Sequence, residues 1–347
     1  MELLSVTMSD GVIPRSEIED KDNSSQDKSN YKIVHKGDMV YNSMRMWQGA
    51  NGISPYDGIV SPAYTVLMPK QRINNGYFAA LFKNINMINE FRKNSQGMTS
   101  DTWNLNYPQI KTIKIRIPSI YEQEKISEML GILEMRIASQ VQLIDNLKKY
   151  KRGALSALFP KKGEITPQYR FAGFTEPWKQ RKAKDLCSIS TGKSNTQDRV
   201  NDGIYPFYVR SPIVEHSNRY LFDEEAVLTV GDGVGTGKVF HYVNGKYDLH
   251  QRVYRMFDFS EEITAKYFYY YFSNHFYERV MAMTAKTSVD SVRYEMIADM
   301  DIVLPKVKEQ MAISACFDRL DNLITLHQHK YDTLLFLKNA ILQQMFI

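Results

Sequence analysis

The sequence is poor in the residues that build covalent or membrane-bound frameworks. It has two cysteines in 347 residues, Cys187 and Cys316, which are too few for a disulfide framework or a four-cysteine zinc site. Its longest apolar runs, such as residues 77–82, fall far short of the roughly 18 residues that a membrane helix needs, and the N-terminus carries no apolar signal region. These absences predict a cytoplasmic protein with two reduced, structural cysteines.

Patterns typical of enzymes are also missing. The run from Gly231 to Lys238 resembles a phosphate-binding loop, but Asp232 stands where that pattern needs glycine and Val239 where it needs serine or threonine. A glycine-rich loop between strands is the better interpretation. No methyltransferase tetrad, nuclease cluster or helicase motif is found, and the seven histidines are scattered. The sequence therefore predicts no catalytic residue and no metal site.

Length and charge indicate two domains and a basic segment. A chain of 347 residues is about twice the size of a usual domain. The 44 basic and 39 acidic residues give a net charge of only +5, but residues 148–184 hold eleven bases and two acids. A segment with that excess of positive charge is either a solvated helix end and loop or a place where a polyanion could bind.

An internal repeat organises the chain. Pro118 and Glu122-Gln123 recur as Pro305 and Glu309-Gln310, at an offset of 187 residues. The alignment holds without a gap from residues 110 and 297 to residues 159 and 346. The chain is therefore interpreted as a tandem duplication of one unit.

Each copy ends in a predicted helix of about 39 residues, or about 58 Å. Apolar residues at alternating spacings of four and three form a coiled-coil seam in both helices. Gln140 and His327 interrupt the seams near their midpoints, so antiparallel pairing would bring them within about a turn of each other. We expect that pairing, with the two units at opposite ends of a rod. The central seam positions are Leu133, Ile137, Gln140, Ile144, Leu320, Ile324, His327 and Tyr331.

Upstream of each long helix the two copies share a skeleton of mixed α and β structure. Residues 39–41 and 226–228 are predicted as strands, and the apolar runs 77–82 and 267–272 as helices. The aromatic run 267–272 could stack nucleic-acid bases, but at helical spacing it favours a core. The expected fold class is α+β, with two mixed α/β domains in tandem and two long helices paired as an antiparallel coiled coil. The expected boundaries are 1–118, 119–160 (long helix), 161–305 and 306–347 (long helix).

Two motifs carry a family resemblance. One is the repeated Pro-x-x-x-Glu-Gln-x-x-Ile-Ser, which leads into a helix ending in Leu-Phe or Met-Phe. The other is Tyr169-Arg170-Phe171-Ala172-Gly173-Phe174-Thr175-Glu176-Pro177-Trp178, a lead-in to the second unit. With both motifs, the chain resembles the specificity subunit of type I restriction-modification systems over essentially its whole length.

The resemblance implies a non-catalytic, DNA-reading subunit. In that family two target recognition domains each read one half of a bipartite, asymmetric site on double-stranded DNA. The paired helices dock two methyltransferase subunits, and restriction subunits join them. S-adenosylmethionine, ATP and Mg²⁺ would belong to those partners, and this chain would bind no cofactor. The alternatives left open are a diverged single-chain DNA methyltransferase or nuclease, and a coiled-coil adaptor that does not bind DNA.

Candidate DNA-binding residues are polar side chains beside predicted strand ends, where loops are free to vary between the copies. In the first unit they are Ser43, Arg45, Trp47, Gln48, Lys93, Asn94, Gln96, Thr99 and Ser100. In the second unit they are Lys193, Ser194, Asn195, Arg210, Ser211, Lys238, Gln251, Arg252, Lys286, Thr287 and Ser288.

The lead-in of the second unit has no counterpart before the first. Residues 4–7 already resemble residues 187–190, the segment that follows the lead-in. The first recognition domain is therefore expected to be truncated by roughly its opening 25 residues.

Overall fold

The computed structural model describes residues 1–20, 24–233, 235–283 and 291–346. The chain divides into two compact units, Met1–Leu143 with His327–Ile347, and Ile144–Leu326. Each unit therefore contains one part of the long helix Ile120–Leu158 and one part of the long helix Val307–Gln344. Within the described ranges, no helix is long and apolar enough to cross a membrane.

The first unit combines two small sheets with short helices. Its elements are β1 Glu2–Val6, β2 Val12–Pro14, β3 Lys32–Val34, β4 Met39–Asn42, β5 Asn51–Ile53, β6 Gly58–Val60, β7 Tyr64–Leu67, α1 Asn75–Leu81, α2 Ile85–Asn94, α3 Tyr107–Ile110 and the long α4 Ile120–Leu158. One sheet has the order β2-β1-β6-β3, with β1 and β6 parallel, and the other is antiparallel in the order β5-β4-β7. The predicted strand at residues 39–41 is confirmed as β4.

The second unit is built on one larger sheet. Its elements are β8 Lys179–Lys182, α5 Ala183–Leu186, β9 Ser188–Thr191, β10 Tyr205–Tyr208, β11 Val214–Ser217, β12 Phe222–Val230, β13 Phe240–Leu249, β14 Val253–Phe257, α6 Ala265–Met283, α7 Tyr294–Ala298, β15 Asp301–Leu304 and the long α8 Val307–Gln344. Six strands have the order β11-β10-β13-β12-β14-β9, and β8 pairs with β15 in a separate ribbon. The predicted strand at residues 226–228 lies inside β12.

The aromatic run of the second unit forms its core. Tyr267, Phe268, Phe272 and Phe276 on α6 are fully buried, and the Phe268–Phe272 and Phe272–Phe276 ring pairs stack at 5.3 and 4.3 Å. Side chains without exposed area cannot serve as a base-stacking platform, so the core interpretation is confirmed. The 19 residues of α6 correspond to both α1 and α2 of the first unit, where the helix is broken between Leu81 and Ile85.

The break in the first unit is fixed by Asn84. Its side chain accepts a hydrogen bond from Asn86 N at 2.9 Å, which caps the start of α2. Its amide also donates to Leu342 O on α8 at 3.0 Å, and the residue is fully buried. Asn84 therefore starts α2 soon after α1 has ended at Leu81, and it fastens the turn between them to the long helix of the same unit.

The long helices run antiparallel within each unit. In the first, Lys338 Nζ lies 2.7 Å from Glu134 Oε1, and Gln140 Nε2 lies 2.6 Å from His327 Nδ1. In the second, Lys151 Nζ lies 2.5 Å from Asp321 Oδ1. The two ion pairs are related by the same offset of 187 residues. Each of these lysines therefore pairs with an acid of the opposite helix, and the expected antiparallel coiled coil is confirmed.

The repeated Glu-Gln motif has a structural role in both units. Gln310 Oε1 accepts a hydrogen bond from Thr264 N at 2.8 Å, while its Nε2 donates to Pro305 O at 2.8 Å. Gln123 makes the equivalent contacts with Asn74 N and Pro118 O, at 3.0 and 2.9 Å. Each glutamine is buried and ties the start of a long helix to the start of the preceding apolar helix.

Both cysteines are free, as expected from their number. Cys187 is buried, and burial raises the pKa of its thiol to about 12. Because the thiolate is the reactive form, Cys187 is a packing residue rather than a nucleophile. The expected domain boundaries stay predictions, and the long helices themselves begin at Ile120 and Val307.

Candidate nucleic-acid interface

Four chain segments of the second unit meet where strands of its larger sheet end. Lys193 N and Ser194 N both donate to Leu249 O at 3.1 Å, and His250 N donates to Tyr208 O at 3.0 Å. Gly231 N donates to Arg252 O at 2.8 Å. These contacts join the loops that follow β9, β10 and β12 to the link between β13 and β14. We call the surface of residues 193–199, 210–213, 231–233 and 250–252, together with Arg219, the loop edge.

The close approach of two loops requires a glycine. A Cβ atom built on Gly192 would lie 2.0 Å from Leu249 O, far inside van der Waals contact. Any side chain there would push the loop after β9 away from the β13–β14 link. Gly192 therefore allows the candidate residues on the two segments to come together.

Two arginines share one carboxylate at the loop edge. Arg210 Nη1 lies 3.4 Å from Asp232 Oδ1, and Arg252 Nε lies 3.8 Å from Asp232 Oδ2. The side chains of both arginines are about half or more exposed, at 48% and 67%. One carboxylate cannot neutralise two guanidinium groups, so the cluster keeps a net positive charge. Such a cluster can bind phosphate or the O6 and N7 atoms of guanine.

Two exposed amide side chains lie beside this cluster. Gln251 Nε2 donates to Asn195 Oδ1 at 2.5 Å, and Asn195 N donates to Asp198 Oδ2 at 2.8 Å. The second bond belongs to a capping box that orders residues 195–198. Asparagine and glutamine amides match the hydrogen-bonding edge of adenine, so the loop edge offers groups for either purine.

Ser194 lies beneath the surface and holds the loop edge together. Its Oγ donates to Asp248 Oδ1 at 2.5 Å and accepts from Arg219 Nη2 at 3.1 Å, and the residue has no exposed area. Arg219 also donates to Asp198 Oδ2 at 2.9 Å. Ser194, a predicted DNA-binding residue, therefore positions its neighbours in this structure and does not face solvent.

The buried side chain of His250 bonds the backbone of residues 250–252 in the loop edge. Its Nδ1 accepts a hydrogen bond from Arg252 N at 3.0 Å, which requires that nitrogen to be unprotonated. Burial lowers the pKa of His250, and the positive charge of Arg210 lowers it further. A neutral His250 leaves the positive charge of the loop edge to its arginines and to Lys193.

Other predicted residues of the second unit are placed differently. The Nζ atom of Lys238 lies 4.8 Å from the ring centroid of Tyr277 on α6. Ser211 Oγ donates to Ile213 O at 3.2 Å, within its own turn. Lys193 is exposed. Lys286, Thr287 and Ser288 lie outside the described residues.

In the first unit the predicted residue Trp47 contacts two residues that flank the second predicted group, Arg92 and Trp103. Trp47 and Trp103 pack edge to face at 5.2 Å, and Arg92 lies 5.8 Å above the Trp47 ring. Arg92 Nε also donates to Trp47 O at 3.3 Å. This contact brings the turn at residues 43–48 against the end of α2 and the following loop.

Arg45 and Gln48 line a cavity of about 1150 Å³, together with Ser5, Arg15 and Ser61. Arg45 is exposed, so this cavity is where the first unit offers a predicted cation to a ligand. Ser43 is buried, and its Oγ lies 3.1 Å from Thr65 Oγ1. Like Ser194, it holds a turn in place in this structure and does not face solvent.

The remaining predicted residues of the first unit are tied into local structure. Lys93 Nζ lies 2.7 Å from Glu90 Oε1, and Asn94 Nδ2 donates to Glu90 O at 2.8 Å. Thr99 forms a capping box with Thr102 in front of a short 3-10 helix that begins at Ser100. The backbone of Gln96 pairs with that of Asn104.

The predicted seam residues lie on the contact faces of the helices. Leu133, Gln140, Ile144 and Leu320 are buried. The half-buried members are Ile137, Ile324, His327 and Tyr331. No cluster of three or more histidine, cysteine, aspartate or glutamate side chains within the described ranges is arranged to hold a metal ion.

Comparison with known proteins decides the family. The model of the type I restriction modification DNA specificity domain matches residues 6–149 and again residues 175–335. The chain belongs to the type I restriction-modification specificity family. The two matches fall on the two copies of the repeat, so the resemblance seen in the sequence is confirmed. Membership is consistent with a chain that is not itself an enzyme.

Similar proteins support this assignment. The chain is 24% identical over 339 residues to the specificity subunit of the type I restriction enzyme MjaVIII of Methanocaldococcus jannaschii, covering 89% of this chain and 78% of that protein. It is 30% identical over 144 residues to the EcoDI specificity subunit of Escherichia coli, covering 41% of this chain and 31% of that protein. The crystal structure of the type I S subunit from M. genitalium has the same fold, with a TM-score of 0.65 at 13% identity, covering 91% of this chain and 84% of that chain.

Sequence reasoning missed several residues that contact the candidate DNA-binding residues. Arg219 and Asp232 join the candidate residues of the second unit, while Arg92 and Trp103 join those of the first. The spacing of Asn195 and Asp198 could have predicted the capping box. No local pattern points to Arg219, because it lies in a separate turn and reaches the loop edge only in the folded unit.

Proposed function

We propose that the chain is the non-catalytic DNA-reading subunit of a type I restriction-modification complex. Each recognition domain reads one half of a bipartite, asymmetric site on double-stranded DNA, and the long helices dock two methyltransferase subunits. Restriction subunits join the same complex. S-adenosylmethionine, ATP and Mg²⁺ serve those partners, and this chain binds no cofactor of its own.

The observation that carries the proposal is the double match of the specificity-domain model, once on each copy of the repeat. The loop edge supports it, because Arg210 and Arg252 supply positive charge beside the exposed amides of Asn195 and Gln251. Cations that hold phosphate and amides that read base edges are the two components of sequence-specific DNA binding.

The charge at the loop edge is tested by salt-dependent DNA binding of the complex co-expressed with its methyltransferase subunits. Replacing Arg252→Ala should lower the slope of log affinity against log salt concentration by about 1, because one phosphate contact is lost. Lys179→Ala, which removes one charge from an exposed position on β8, away from the loop edge and the long helices, is the matched control and should leave the slope unchanged. Equal slopes for both variants and the wild type would contradict the proposed interface.

The two-reader model is tested by mapping adenine methylation in cells that express the same complex. A bipartite motif with a fixed gap is expected, and a continuous motif would contradict two separate readers. Binding of S-adenosylmethionine by the chain alone would support a single-chain methyltransferase instead. DNA binding that is absent or insensitive to salt would support a coiled-coil adaptor.

A further inference from the structure

Two exposed amides of the loop edge are bonded to each other, and their hydrogen bonds fix which way each amide points. The side chain of Asn195 accepts a hydrogen bond from the backbone N–H of Asp198, in the capping box at the start of a short 3-10 helix. A backbone N–H only donates, so the Asn195 atom that faces it is the oxygen Oδ1. The amide nitrogen Nδ2 of Asn195 therefore points away from the cap.

The orientation of Gln251 follows from that of Asn195. Gln251 Nε2 lies 2.5 Å from Asn195 Oδ1, and a carbonyl oxygen has two lone pairs with which to accept hydrogen bonds. Rotating Gln251 by half a turn would set two oxygens against each other. Rotating Asn195 would set its NH₂ group against the backbone N–H of Asp198. The nitrogen of Gln251 therefore faces Asn195, and its oxygen Oε1 points away.

One donor and one acceptor of this amide pair are left over. Asn195 Nδ2 and Gln251 Oε1 have no hydrogen-bond partner among the described residues, and both side chains are exposed. The bond between the two residues uses the oxygen of one amide and the nitrogen of the other. The pair therefore offers a ligand one N–H donor from Asn195 and one carbonyl acceptor from Gln251.

This combination fits one base in the major groove of DNA. Adenine presents N7 as an acceptor and its N6 amino group as a donor, so it complements one donor and one acceptor. Guanine presents two acceptors, and its O6 atom would face the oxygen of Gln251. Cytosine offers a donor but no acceptor there, and thymine offers an acceptor beside a methyl group. Adenine is therefore the base whose edge matches both free atoms of the pair.

Buried groups behind the pair hold its two segments together. Gln251 N donates to Ser194 O at 2.9 Å, and Ser194 directly precedes Asn195. The hydroxyl of Ser194 donates to Asp248, which has no exposed area, at 2.5 Å and accepts from Arg219 Nη2 at 3.1 Å. The two amides are thus held in place before DNA arrives, which lowers the cost of ordering them on binding.

We propose that Asn195 and Gln251 together read one adenine in the half-site of the second unit, an inference that rests on the function proposed above. Asn195 Nδ2 donates to N7 of the base, and Gln251 Oε1 accepts from its N6 amino group. Arg252, the residue after Gln251, supplies an exposed cation for the phosphate backbone. Neither amide alone carries the preference, because each makes one of the two contacts.

Modified bases test the two contacts separately. The methylation map of the wild-type complex gives the adenines that are fixed in either half-site, and those that are not methylated are tested one at a time. In synthetic duplexes each is replaced by 7-deazaadenine, which lacks the N7 acceptor, or by purine, which lacks the N6 amino group. At one of these adenines, each replacement should weaken binding of the complex co-expressed with its methyltransferase subunits by about tenfold.

Two variants assign the contacts to the two side chains. Asn195→Asp keeps the capping oxygen but replaces the free donor with an acceptor, so it should bind the 7-deazaadenine duplex at least as tightly as the unmodified one. Gln251→Ala removes the free acceptor and should lose most of the penalty for purine. It should keep the penalty for 7-deazaadenine, because the cap still holds Asn195.

A matched control separates these contacts from a general effect of charge. Asn218→Asp makes the same change from amide to acid at an exposed position outside the loop edge, and it should keep both penalties. Penalties that persist in Asn195→Asp, or that vanish equally in Asn218→Asp, would overturn the inference. A bipartite motif without an adenine that is sensitive to both modified bases would overturn this inference alone. Methylated sites without a bipartite motif would overturn the proposed function as well.

Discussion

Gln310 joins three parts of the second unit through one side chain. It bonds Thr264 N at the start of α6, Glu262 O in the preceding turn and Pro305 O before α8. Gln310 has no exposed area, so its side chain supplies the hydrogen-bond partner of all three backbone groups away from solvent. A displacement of this side chain would weaken the hydrogen bonds of the helix start and of the turn together.

Replacing Gln310→Ala should lower the free energy of unfolding of the second unit by about 2–3 kcal/mol, because buried backbone groups lose their partner. The free energy of unfolding is measured by urea unfolding, followed by tryptophan fluorescence. The variants Trp47→Phe and Trp103→Phe are included so that Trp178 alone reports on the second unit. Gln142→Ala, at an exposed position of α4, is the control and should change stability by less than about 0.5 kcal/mol. A similar small change for both variants would show that the glutamine is not structural.

Individual site residues were predictable only in part. Arg210, Gln251 and Arg252 lie beside strand ends, as the sequence predicts, and the structure exposes them. Ser43 and Ser194 lie beside strand ends too, yet both are buried. A hydroxyl in a loop can face solvent or satisfy a buried carboxylate such as Asp248, and the sequence does not distinguish these cases.

At the scale of elements, the long helices are specified by local periodicity and by their repeated polar positions. Lys151 with Asp321 and Lys338 with Glu134 are equivalent pairs, so each copy provides the lysine for one pair and the acid for the other. Gln140 and His327 are themselves equivalent and contact each other. A polar pair at a seam selects register at some cost in stability.

Replacing both Gln140 and His327 with leucine should therefore stabilise the first unit or leave its stability unchanged. Each single replacement should cost about 1–2 kcal/mol, because one polar side chain then loses its partner. Urea unfolding of the four proteins in the cycle gives the coupling energy. Gln142→Leu, on the exposed face of α4, controls for added apolar area. Strictly additive effects would contradict a coupled seam pair.

The small elements were less predictable than the long ones. The apolar run at residues 77–82 predicted a helix, which is confirmed as α1, but its break before α2 depends on Asn84 bonding Leu342 O, 258 residues away. Residues 114–117 align with β15 and still form no strand, because a strand requires a neighbour for its backbone groups. Residues 114–117 and β15 have similar sequences, but sequence similarity does not supply the neighbouring strand that β15 pairs with.

For the whole molecule, the repeat was the most informative feature of the sequence. A constant offset of 187 residues predicted two similar units and two equivalent helices, and both are confirmed. The bases that each unit would read were beyond prediction, because they depend on loop geometry. The loop edge of the second unit is assembled from four segments that are far apart in the sequence.

If each unit reads its own half-site, a change at one loop edge should alter one half of the methylated motif. Gln251→Ala removes an exposed amide beside Arg252 and should relax base choice at one or two positions of one half-site. Methylation mapping in cells would show the other half-site and the gap unchanged. Altered preference in both halves would contradict independent readers.

The glutamine junction also bears on how such a chain can change in evolution. Both copies begin their long helix with the same Pro-x-x-x-Glu-Gln pattern, and both glutamines bond the proline carbonyl and the start of the preceding apolar helix through the same atoms. Recombination within this repeated pattern would place either unit before either long helix without losing either bond, because both bonds run from the glutamine to backbone atoms. The side chains of the unit that comes before the pattern can therefore differ while the hydrogen bonds at the junction stay the same.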